Sequence, residues 1–375
     1  MRILYVTDAL AVWGGVERVL SDKFNYLVKK LGYEVFVVTA DQGEHPIPFI
    51  LDSRVVVKDF NINFHRQYHL VGFKRFRKHR ELGILYRNCL SSYIKEIRPD
   101  IISCIREGCA CAVLDVKGSI PAIFESHAMF KDVIYEKSTF IHRCIVYFQR
   151  KKFWKLDKIV TLSQGDADDW KRVCKHVCVI PNVVHLNDTG RYSNCTSKKV
   201  IFAGRFDLQK GIDSLAQIWS LVQTRHPDWL LEVYGNGELK PFFTSIVKEK
   251  ELNIDIFPAV PDIFDKYIDA SILLMTSFYE PFGLVLAEAM SCGLPVVAFN
   301  CPYGPADIIE NGKDGFLVEN GNIQVFAERI CQLIENEQLR CEMGKAASIS
   351  SQRYNAEIVM PMWDKLFSEI TQSIK

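Results

Sequence analysis

The chain has 375 residues, more than one hydrophobic core usually organises, so we expect two domains. Hydrophobic residues make up 48% of the chain and charged residues 24%, which is typical of a globular enzyme. The formal net charge is +1 at pH 7, which excludes a general polyanion-binding protein and leaves only local basic patches.

Short apolar segments alternate with helical patterns along the first half of the chain. The predicted strands are Arg2–Thr7, Glu34–Thr39, Ile101–Cys104, Ala122–Glu125 and Lys158–Leu162. Val16–Leu31 is predicted as an amphipathic helix, and further helices are expected between the later strands. This alternation predicts a parallel, doubly wound sheet. We expect the first segment to be a buried strand and not a secretory leader, because Asp8 interrupts it.

A polar, turn-rich segment, Val183–Ser197, is predicted to link this domain to a second one. The strands predicted after it are Lys199–Ala203, Leu230–Tyr234, Ile272–Met275, Val296–Phe299 and Gly315–Val318. The helices predicted after it are Leu215–Thr224, Leu284–Met290, Ile323–Glu335 and about Ala356–Ile374. Two open α/β domains are therefore expected, and a cleft between them is the expected ligand site.

The strongest signal for chemistry lies in residues 277–295, where a turn leads from a strand into a helix starting near Gly283. The start of a helix presents unpaired N–H groups and a partial positive charge, which suits a phosphate. Glu288 lies one helical turn beyond Leu284, where its carboxylate can accept hydrogen bonds from ribose hydroxyls. Glu280 precedes the helix and is expected to face a sugar. The alternative is that Glu280 caps the helix and Glu288 is solvated.

A second candidate element is residues 200–211, where a strand runs into Gly204 and a loop carrying Arg205 and Lys210 closes at Gly211. A departing diphosphate gains negative charge, and cations fixed beside it stabilise the transition state most. Arginine binds phosphate oxygens in a fork, and lysine acts as a point charge. The alternative is a pair of ordinary surface cations.

Three further features carry weaker signals. Gly14 and Gly15 join the first predicted strand to its helix, where a substrate can approach the backbone. His127 ends a predicted strand, although a lone histidine is more often structural. Asp166 and Asp168 form a D-x-D pattern, but acidic residues are common in the first turn of a helix. We therefore predict no metal site.

The 12 cysteines lack metal-ligand spacing, and we expect them to be reduced thiols in a cytoplasmic protein. No apolar run approaches the length of a membrane span, which is about 18 residues or more.

Residues 65–80 are rich in basic and aromatic side chains and contain no Asp or Glu, and residues 143–155, from Arg143 onward, are similar. Arg75, Arg77 and Lys78 belong to the first stretch. The pattern predicts either a solvated loop and helix face or a surface that docks on an anionic membrane, gaining roughly 1 kcal/mol per basic residue. No nucleic-acid motif accompanies the charge, so no nucleic-acid partner is predicted.

Together these motifs resemble the retaining glycosyltransferases of family 4, which have the GT-B fold. The resemblance is carried by GGVER (14–18), ESH (125–127), VIPNVV (179–184), FAGRFDLQKG (202–211), YGNGE (234–238) and YEPFGLVLAEAMSCGLPVVA (279–298). It implies two Rossmann-like, doubly wound domains facing each other across a cleft. The acceptor domain would be residues 1–184, completed by a C-terminal helix at about 356–375, and the donor domain residues 185–355.

The same resemblance implies roles for single residues. Catalytic roles would fall to Arg205, Lys210, Glu280 and His127, and donor binding to Gly15, Gly204, Gly283, Leu284, Val285 and Glu288. Arg75, Arg77 and Lys78 would lie on the acceptor or membrane side. The anomeric configuration would be retained without a metal or other cofactor, because the acceptor hydroxyl gives its proton to the departing phosphate on the same face of the sugar.

Residues 300–309 are similar to those of enzymes that use UDP-galactose or UDP-N-acetylgalactosamine in bacterial surface-polysaccharide assembly. The expected partners are therefore a nucleotide-sugar donor and a glycan or lipid-linked saccharide acceptor, at the inner face of the cell membrane. Two alternatives stay open, a hydrolase or epimerase of the same fold and a non-catalytic nucleotide-sugar binding protein. A dehydrogenase is disfavoured, because no G-x-G-x-x-G follows the first strand of either domain.

Overall fold

The computed structural model describes residues 1–130, 147–148 and 150–372, and the chain divides into two compact units. The first unit comprises Met1–Val183 and Ala356–Lys375, and the second comprises Val184–Asn355. Arg143, which belongs to the second basic stretch of the sequence, lies outside the described residues.

A seven-stranded parallel sheet organises the first unit. Its strands are β1 (Arg2–Val6), β2 (Glu34–Thr39), β3 (Val56–Asp59), β4 (Ile101–Cys104), β5 (Ala122–Ser126), β6 (Lys158–Thr161) and β7 (Val177–Val179). Its helices are α1 (Gly15–Lys29), α2 (Gly72–Ile97), α3 (Glu107–Val116) and α4 (Gln164–Trp170), with 3-10 turns at Phe64–Gln67 and Lys152–Lys155. The strand order is β3-β2-β1-β4-β5-β6-β7.

Helices cover this sheet on both faces, and alternate residues of each strand feed two separate cores. Leu4 and Val6 of β1 pack into one core together with residues of α2 and α3. Ile3 and Tyr5 point the other way and pack with Phe24 of α1. Because both faces are buried, the strand is apolar without alternation, as is usual in parallel sheets.

A six-stranded parallel sheet organises the second unit. Its strands are β8 (Lys199–Ala203), β9 (Leu230–Tyr234), β10 (Ile254–Phe257), β11 (Ile272–Met275), β12 (Val296–Asn300) and β13 (Gly315–Glu319). Its helices are α5 (Ile212–Arg225), α6 (Lys240–Glu249), α7 (Phe264–Ile268), α8 (Leu284–Ser291), α9 (Pro305–Ile308), α10 (Ile323–Glu335) and α11 (Glu337–Ser351), with 3-10 turns at Leu208–Lys210 and Gln352–Tyr354. The strand order is β10-β9-β8-β11-β12-β13.

The last helix, α12 (Ala356–Gln372), belongs to the first unit. Val359, Trp363 and Phe367 of α12 are buried in the core that also contains Phe24 of α1. The Tyr26 hydroxyl of α1 donates a hydrogen bond of 2.8 Å to Glu357. The end of the chain thus completes the core over one face of the first sheet.

The prediction of two doubly wound parallel α/β domains is confirmed by these sheets. Three strands were not predicted, namely β3, β7 and β10, and each has only three or four residues. All three lie at sheet edges, where every residue except Ile254 is exposed or partly exposed and the apolar signal is weak. Between Val179 and Lys199 the chain contains no helix or strand, and all of these residues are described.

Candidate active site

The site predicted in the second unit lies at the carboxyl ends of β8 and β11. These two strands are neighbours, and the chain runs outward from β8 to β9 and β10 on one side and from β11 to β12 and β13 on the other. Open α/β sheets bind ligands at the point where the strand order reverses, because the loops there diverge and leave a crevice. The loops at this point are residues 204–211 after β8 and 276–283 after β11.

Backbone contacts hold the two loops together. The Phe278 amide donates to the Gln209 carbonyl at 2.9 Å, and the Thr276 hydroxyl donates to the Lys210 carbonyl at 2.9 Å. Gly211 has a φ of 64°, and a Cβ there would lie 2.1 Å from the Thr276 carbonyl oxygen. Only glycine therefore permits this approach, which fixes the position of Lys210 relative to the second loop.

Two predicted catalytic residues meet across these loops. Lys210 Nζ lies 2.6 Å from Glu280 Oε2, and their side chains are 15% and 12% exposed. The Ser277 hydroxyl donates to the same carboxylate oxygen at 3.2 Å. The sequence assigned Lys210 to a diphosphate and Glu280 to a sugar, and it gave no sign that the two residues form an ion pair.

Arg205, the second predicted cation, lies on the loop after β8 with its side chain 71% exposed. Its guanidinium lies 3.2 Å from Asp207 Oδ2 and donates to Gln209 Oε1 at 3.2 Å. Such exposed contacts contribute little stability, so the side chain can exchange them for a ligand at small cost.

The YGNGE motif supports this loop from the end of β9. The Phe206 amide donates to the Asn236 carbonyl at 2.9 Å. A Cβ on Gly235 would lie 1.9 Å from the Gly204 carbonyl oxygen, so the two backbones pass in contact. Gly235 therefore permits the close packing that fixes the backbone of Gly204 and of Arg205, which follows it.

Helix α8 begins beside the same pair. Its N-cap is Gly283, with a φ of 103° and no side-chain cap, so the first N–H groups, those of Leu284 and Val285, lack intrahelical acceptors. Glu288 is only 6% exposed, on the buried side of the helix. The alternative reading, in which Glu280 caps the helix and Glu288 is solvated, is therefore wrong.

The loop after β12 fixes the backbone of Glu280. The Glu280 amide donates to the Pro302 carbonyl at 2.7 Å, and the Tyr303 and Gly304 amides donate to the Glu280 carbonyl at 3.0 and 2.9 Å. A Cβ on Gly304 would lie 1.8 Å from the Phe282 carbonyl oxygen. Residues 300–309, which resemble those of enzymes that use UDP-galactose or UDP-N-acetylgalactosamine, thus fix the backbone of Glu280, the residue predicted to contact the donor sugar.

The remaining predicted residues belong to the first unit. Gly15 is the first residue of α1, after Gly14 at the N-cap. His127 directly follows β5, with its side chain 5% exposed and Nε2 3.3 Å from Glu125 Oε2. Arg75, Arg77 and Lys78 lie in the first two turns of α2, at exposed or partly exposed positions.

Asp166, part of the D-x-D pattern, has a structural role in the first turn of α4. Its carboxylate accepts hydrogen bonds from the Phe130 amide at 2.7 Å and the Ser126 hydroxyl at 3.0 Å. Burial raises the pKa of Asp166 to about 6, against the lowering effect of these bonds. Across the described ranges, no group of His, Cys, Asp and Glu side chains is arranged to hold a metal ion.

Sequence reasoning missed two kinds of residue. Ser277 donates to Glu280, and Gln209 donates to the Tyr279 carbonyl of the second loop, but nothing in the spacing of either residue marks it. Lys23 pairs with Glu125 inside the first unit, at 2.7 Å. A signal for Lys23 did exist, because it stands on the apolar face of α1 beside Leu20 and Leu27.

Comparison with known proteins supports the same two-part division. Residues 13–188 match the family described as Glycosyltransferase Family 4, and residues 191–349 match Glycosyl transferases group 1. An uncharacterized glycosyltransferase of Haemophilus influenzae is 30% identical over 211 residues, which are 55% of this chain and 60% of that protein. The amylovoran biosynthesis glycosyltransferase AmsD of Erwinia amylovora is 27% identical, over 98% of this chain and 99% of that protein.

A solved structure resembles the whole chain. A TarM variant of S. aureus, crystallised with fondaparinux, alpha-GlcNAc-glycerol and UDP, has a TM-score of 0.77 and 18% identity, covering 98% of this chain and 99% of that one. This likeness shows the fold, which is the GT-B fold predicted from the sequence. No helix in the described ranges combines the length and apolar character that a membrane crossing requires.

Proposed function

We propose that this glycosyltransferase, both parts of which match glycosyltransferase families, uses a UDP-linked sugar. The enzyme transfers a hexosyl or N-acetylhexosaminyl residue to a glycan or lipid-linked saccharide, and the candidate sugars are galactose and N-acetylgalactosamine. The AmsD relative is named for amylovoran biosynthesis, and the TarM variant was crystallised with UDP. Both observations support a role in polysaccharide biosynthesis with a UDP donor.

One observation carries the proposal, the Lys210–Glu280 pair beside the start of α8. A half-buried ammonium attracts a diphosphate strongly, since water screens it less than it screens a surface lysine. Glu280 holds the ammonium in place. Its backbone is fixed by the loop after β12, and its carboxylate can also accept hydrogen bonds from sugar hydroxyls. Glu288, one turn into the buried side of α8, is assigned to the ribose.

The proposed reaction needs only the groups of this site and the two substrates. The bond between the anomeric carbon and the diphosphate oxygen breaks, and the developing negative charge is stabilised by Arg205, Lys210 and the first N–H groups of α8. The acceptor hydroxyl attacks on the face that the diphosphate leaves and gives its proton to the departing phosphate oxygen. The configuration at the anomeric carbon is retained, and no metal is required.

A panel of nucleotide sugars tests this function. Purified protein is incubated with UDP- and GDP-linked sugars, with and without saccharide acceptors, and free UDP or GDP is measured in buffer with EDTA. We expect UDP release that depends on an acceptor and persists in EDTA, with an α-linked product by NMR when an α-linked donor is used. Release of free sugar without acceptor indicates the hydrolase, an epimerised donor the epimerase, and binding without turnover the binding protein.

The proposal also includes docking of the first unit on an anionic membrane surface. Phe73 and Phe76 are 78% and 64% exposed on the first turns of α2, next to Arg75 and Arg77. Exposed aromatic rings beside basic side chains suit the interface of an anionic bilayer, where rings insert and cations meet the headgroups. A lipid-linked acceptor would be reached from such a position.

Vesicle sedimentation tests the docking surface. Replacing Arg75, Arg77 and Lys78 together by serine should lower binding to vesicles of phosphatidylcholine and phosphatidylglycerol, by roughly 1 kcal/mol per residue at most. A matched control replaces three exposed lysines of the second unit by serine, namely Lys248, Lys250 and Lys313. Equal binding of the two triple variants would contradict docking through α2.

A further inference from the structure

A buried ionic network joins α1, β4 and the end of β5 in the first unit. Lys23 Nζ from α1 lies 2.7 Å from Glu125 Oε1 of β5, and each side chain is only 3% exposed. The Ser103 hydroxyl of β4 donates to the same carboxylate oxygen at 2.6 Å. Oε1 thus receives two strong hydrogen bonds, which leaves Oε2 for another partner.

That partner is His127, whose Nε2 lies 3.3 Å from Glu125 Oε2. Burial alone would raise the pKa of Glu125, but Lys23 and His127 outweigh it and lower the pKa to about 2. Glu125 is therefore a carboxylate at neutral pH, and a carboxylate only accepts hydrogen bonds. The hydrogen of a neutral His127 ring must then be on Nε2.

The other ring nitrogen of His127 has a different environment. Nδ1 is buried and has no hydrogen-bond partner among residues 1–130, 147–148 and 150–372. In the Nε2–H tautomer Nδ1 carries a lone pair, and a buried acceptor without a donor is unfavourable. A sugar hydroxyl is a donor of the kind that would satisfy this nitrogen.

We infer that Glu125 is a positioning residue, which fixes His127 as the Nε2–H tautomer so that Nδ1 accepts a hydrogen bond from a hydroxyl of the sugar substrate. The carboxylate acts through the ring, since the hydrogen bond at one imidazole nitrogen sets the state of the other. This inference rests on the proposed function for the identity of the ligand. The tautomer itself is a property of the free protein.

Lys23 supplies the charge that keeps Glu125 ionised. Its ammonium lies 2.9 Å from the ring centroid of Trp363 on α12 and 5.4 Å from that of Tyr5. Burial lowers the pKa of Lys23 to about 8, although Glu125 acts to raise it, so the ammonium remains protonated at neutral pH. Trp363 of α12 thereby packs against the ammonium of this network.

The first experiment reads the tautomer without any substrate. The ring nitrogens of His127 are observed by NMR in protein labelled with ¹⁵N-histidine, and the signals are assigned by their absence in His127→Gln. We expect an unprotonated Nδ1 and a protonated Nε2 in the unsubstituted protein, and a shift of the proton toward Nδ1 in Glu125→Gln, whose amide can donate to Nε2. A protonated Nδ1 in the unsubstituted protein, or an unchanged tautomer in Glu125→Gln, would overturn the inference.

The second experiment measures the consequence for turnover. Glu125→Gln should lower kcat by about 10–100-fold, the usual effect of removing a group that orients a functional histidine, with the affinity for UDP unchanged by calorimetry. Adding Glu125→Gln to His127→Ala should lower kcat little further, because both act through one contact. Additive losses would indicate a structural role and contradict the inference.

A double variant addresses misfolding, and a matched control addresses the loss of a buried glutamate charge in general. If Glu125→Gln is unstable because Lys23 is left unpaired, the double variant Lys23→Met with Glu125→Gln removes both charges, and the same tautomer change is expected. Glu232→Gln is the matched control, since Glu232 is also a buried glutamate, 2.8 Å from Lys199, and it should leave kcat within about twofold. If no donor is turned over, the proposed function fails while the NMR result still decides the tautomer.

Discussion

The two units each contain a lysine–glutamate pair at the centre of their candidate chemistry, and the two pairs differ in exposure. Lys210 and Glu280 join two loops at the carboxyl ends of β8 and β11 and are 15% and 12% exposed. Lys23 and Glu125 lie between α1 and β5 and are both 3% exposed. The distances are nearly equal, 2.6 and 2.7 Å, so distance alone does not distinguish the pairs.

The difference in exposure teaches what each pair is suited to do. A pair that solvent reaches can exchange one partner for an incoming anion, because water and ligand compensate the charge that is released. A closed pair cannot do so, since separating it leaves an uncompensated charge in the interior. The open pair is therefore suited to binding, and the closed pair to holding a neighbour in place.

The largest expected effect is on stability, from Lys23→Met. This variant leaves the Glu125 carboxylate buried without its ammonium, and we expect a loss of about 3–5 kcal/mol in the free energy of unfolding. Lys210→Met should cost less than this, because solvent reaches the Lys210–Glu280 pair and can compensate the Glu280 charge that is left. Urea denaturation measures both losses. Equal losses would show that the difference in exposure does not distinguish the two pairs.

The second prediction concerns turnover, on which the Lys210–Glu280 pair is expected to have the larger effect. Lys210→Ala should lower kcat by roughly 10²–10³, the scale of removing one preorganised charge-stabilising group. Lys199→Ala is the control, because Lys199 is paired with Glu232 in the same unit but away from the loops. Steady-state UDP release measures both, and an unaltered kcat for Lys210→Ala would remove this residue from the mechanism.

A third prediction contrasts Glu125 with Asp166, another buried carboxyl group of the first unit. Because burial raises the pKa of Asp166 from its ordinary value of 3.8 to about 6 in the folded state, folding favours its protonated form. Its contribution to stability is therefore complete below about pH 4 and is lost as the pH rises toward 6, by at most about 3 kcal/mol. Glu125, with a lowered pKa, contributes in the opposite direction.

Thermal unfolding of Asp166→Asn from pH 4 to pH 7 checks this sign. The amide is neutral throughout, so the stability of the unsubstituted protein relative to this variant should fall across the range. Parallel curves for the two proteins would show that Asp166 is not protonated preferentially in the folded state.

The smallest effect is expected for Glu288→Ala. Loss of hydrogen bonds from a ribose to a charged acceptor should weaken UDP binding by about 2 kcal/mol, or roughly 30-fold, while the fold stays intact. Glu249→Ala, at an exposed position at the end of α6, is the control. Isothermal titration calorimetry that gives both variants the affinity of the unsubstituted protein would contradict the ribose contact.

Much of the architecture could be predicted because strongly apolar strands are read directly from the sequence. β8, β9 and β11 were predicted with the bounds that the structure has, since each is a short apolar segment closed by a turn. The edge strand β3 was missed, because its residues alternate between exposed and partly exposed positions. Local patterns do not specify which edge residues pair with a neighbouring strand.

The candidate site was only partly predictable, for a different reason. Glycines and charged residues around Lys210 and Gly283 are close in sequence to strand ends, so motif spacing places them at one edge of the sheet. The pairing of Lys23 with Glu125 joins residues 102 positions apart, and no spacing encodes such a contact. Its only trace is a lysine on the apolar face of a helix.

A crystal structure of the full chain with UDP tests the central claim most directly. The account predicts a diphosphate within hydrogen-bond distance of Arg205 and Lys210 and of the first N–H groups of α8, with the ribose hydroxyls on Glu288. A diphosphate bound elsewhere, with Lys210 still paired only to Glu280, would contradict it.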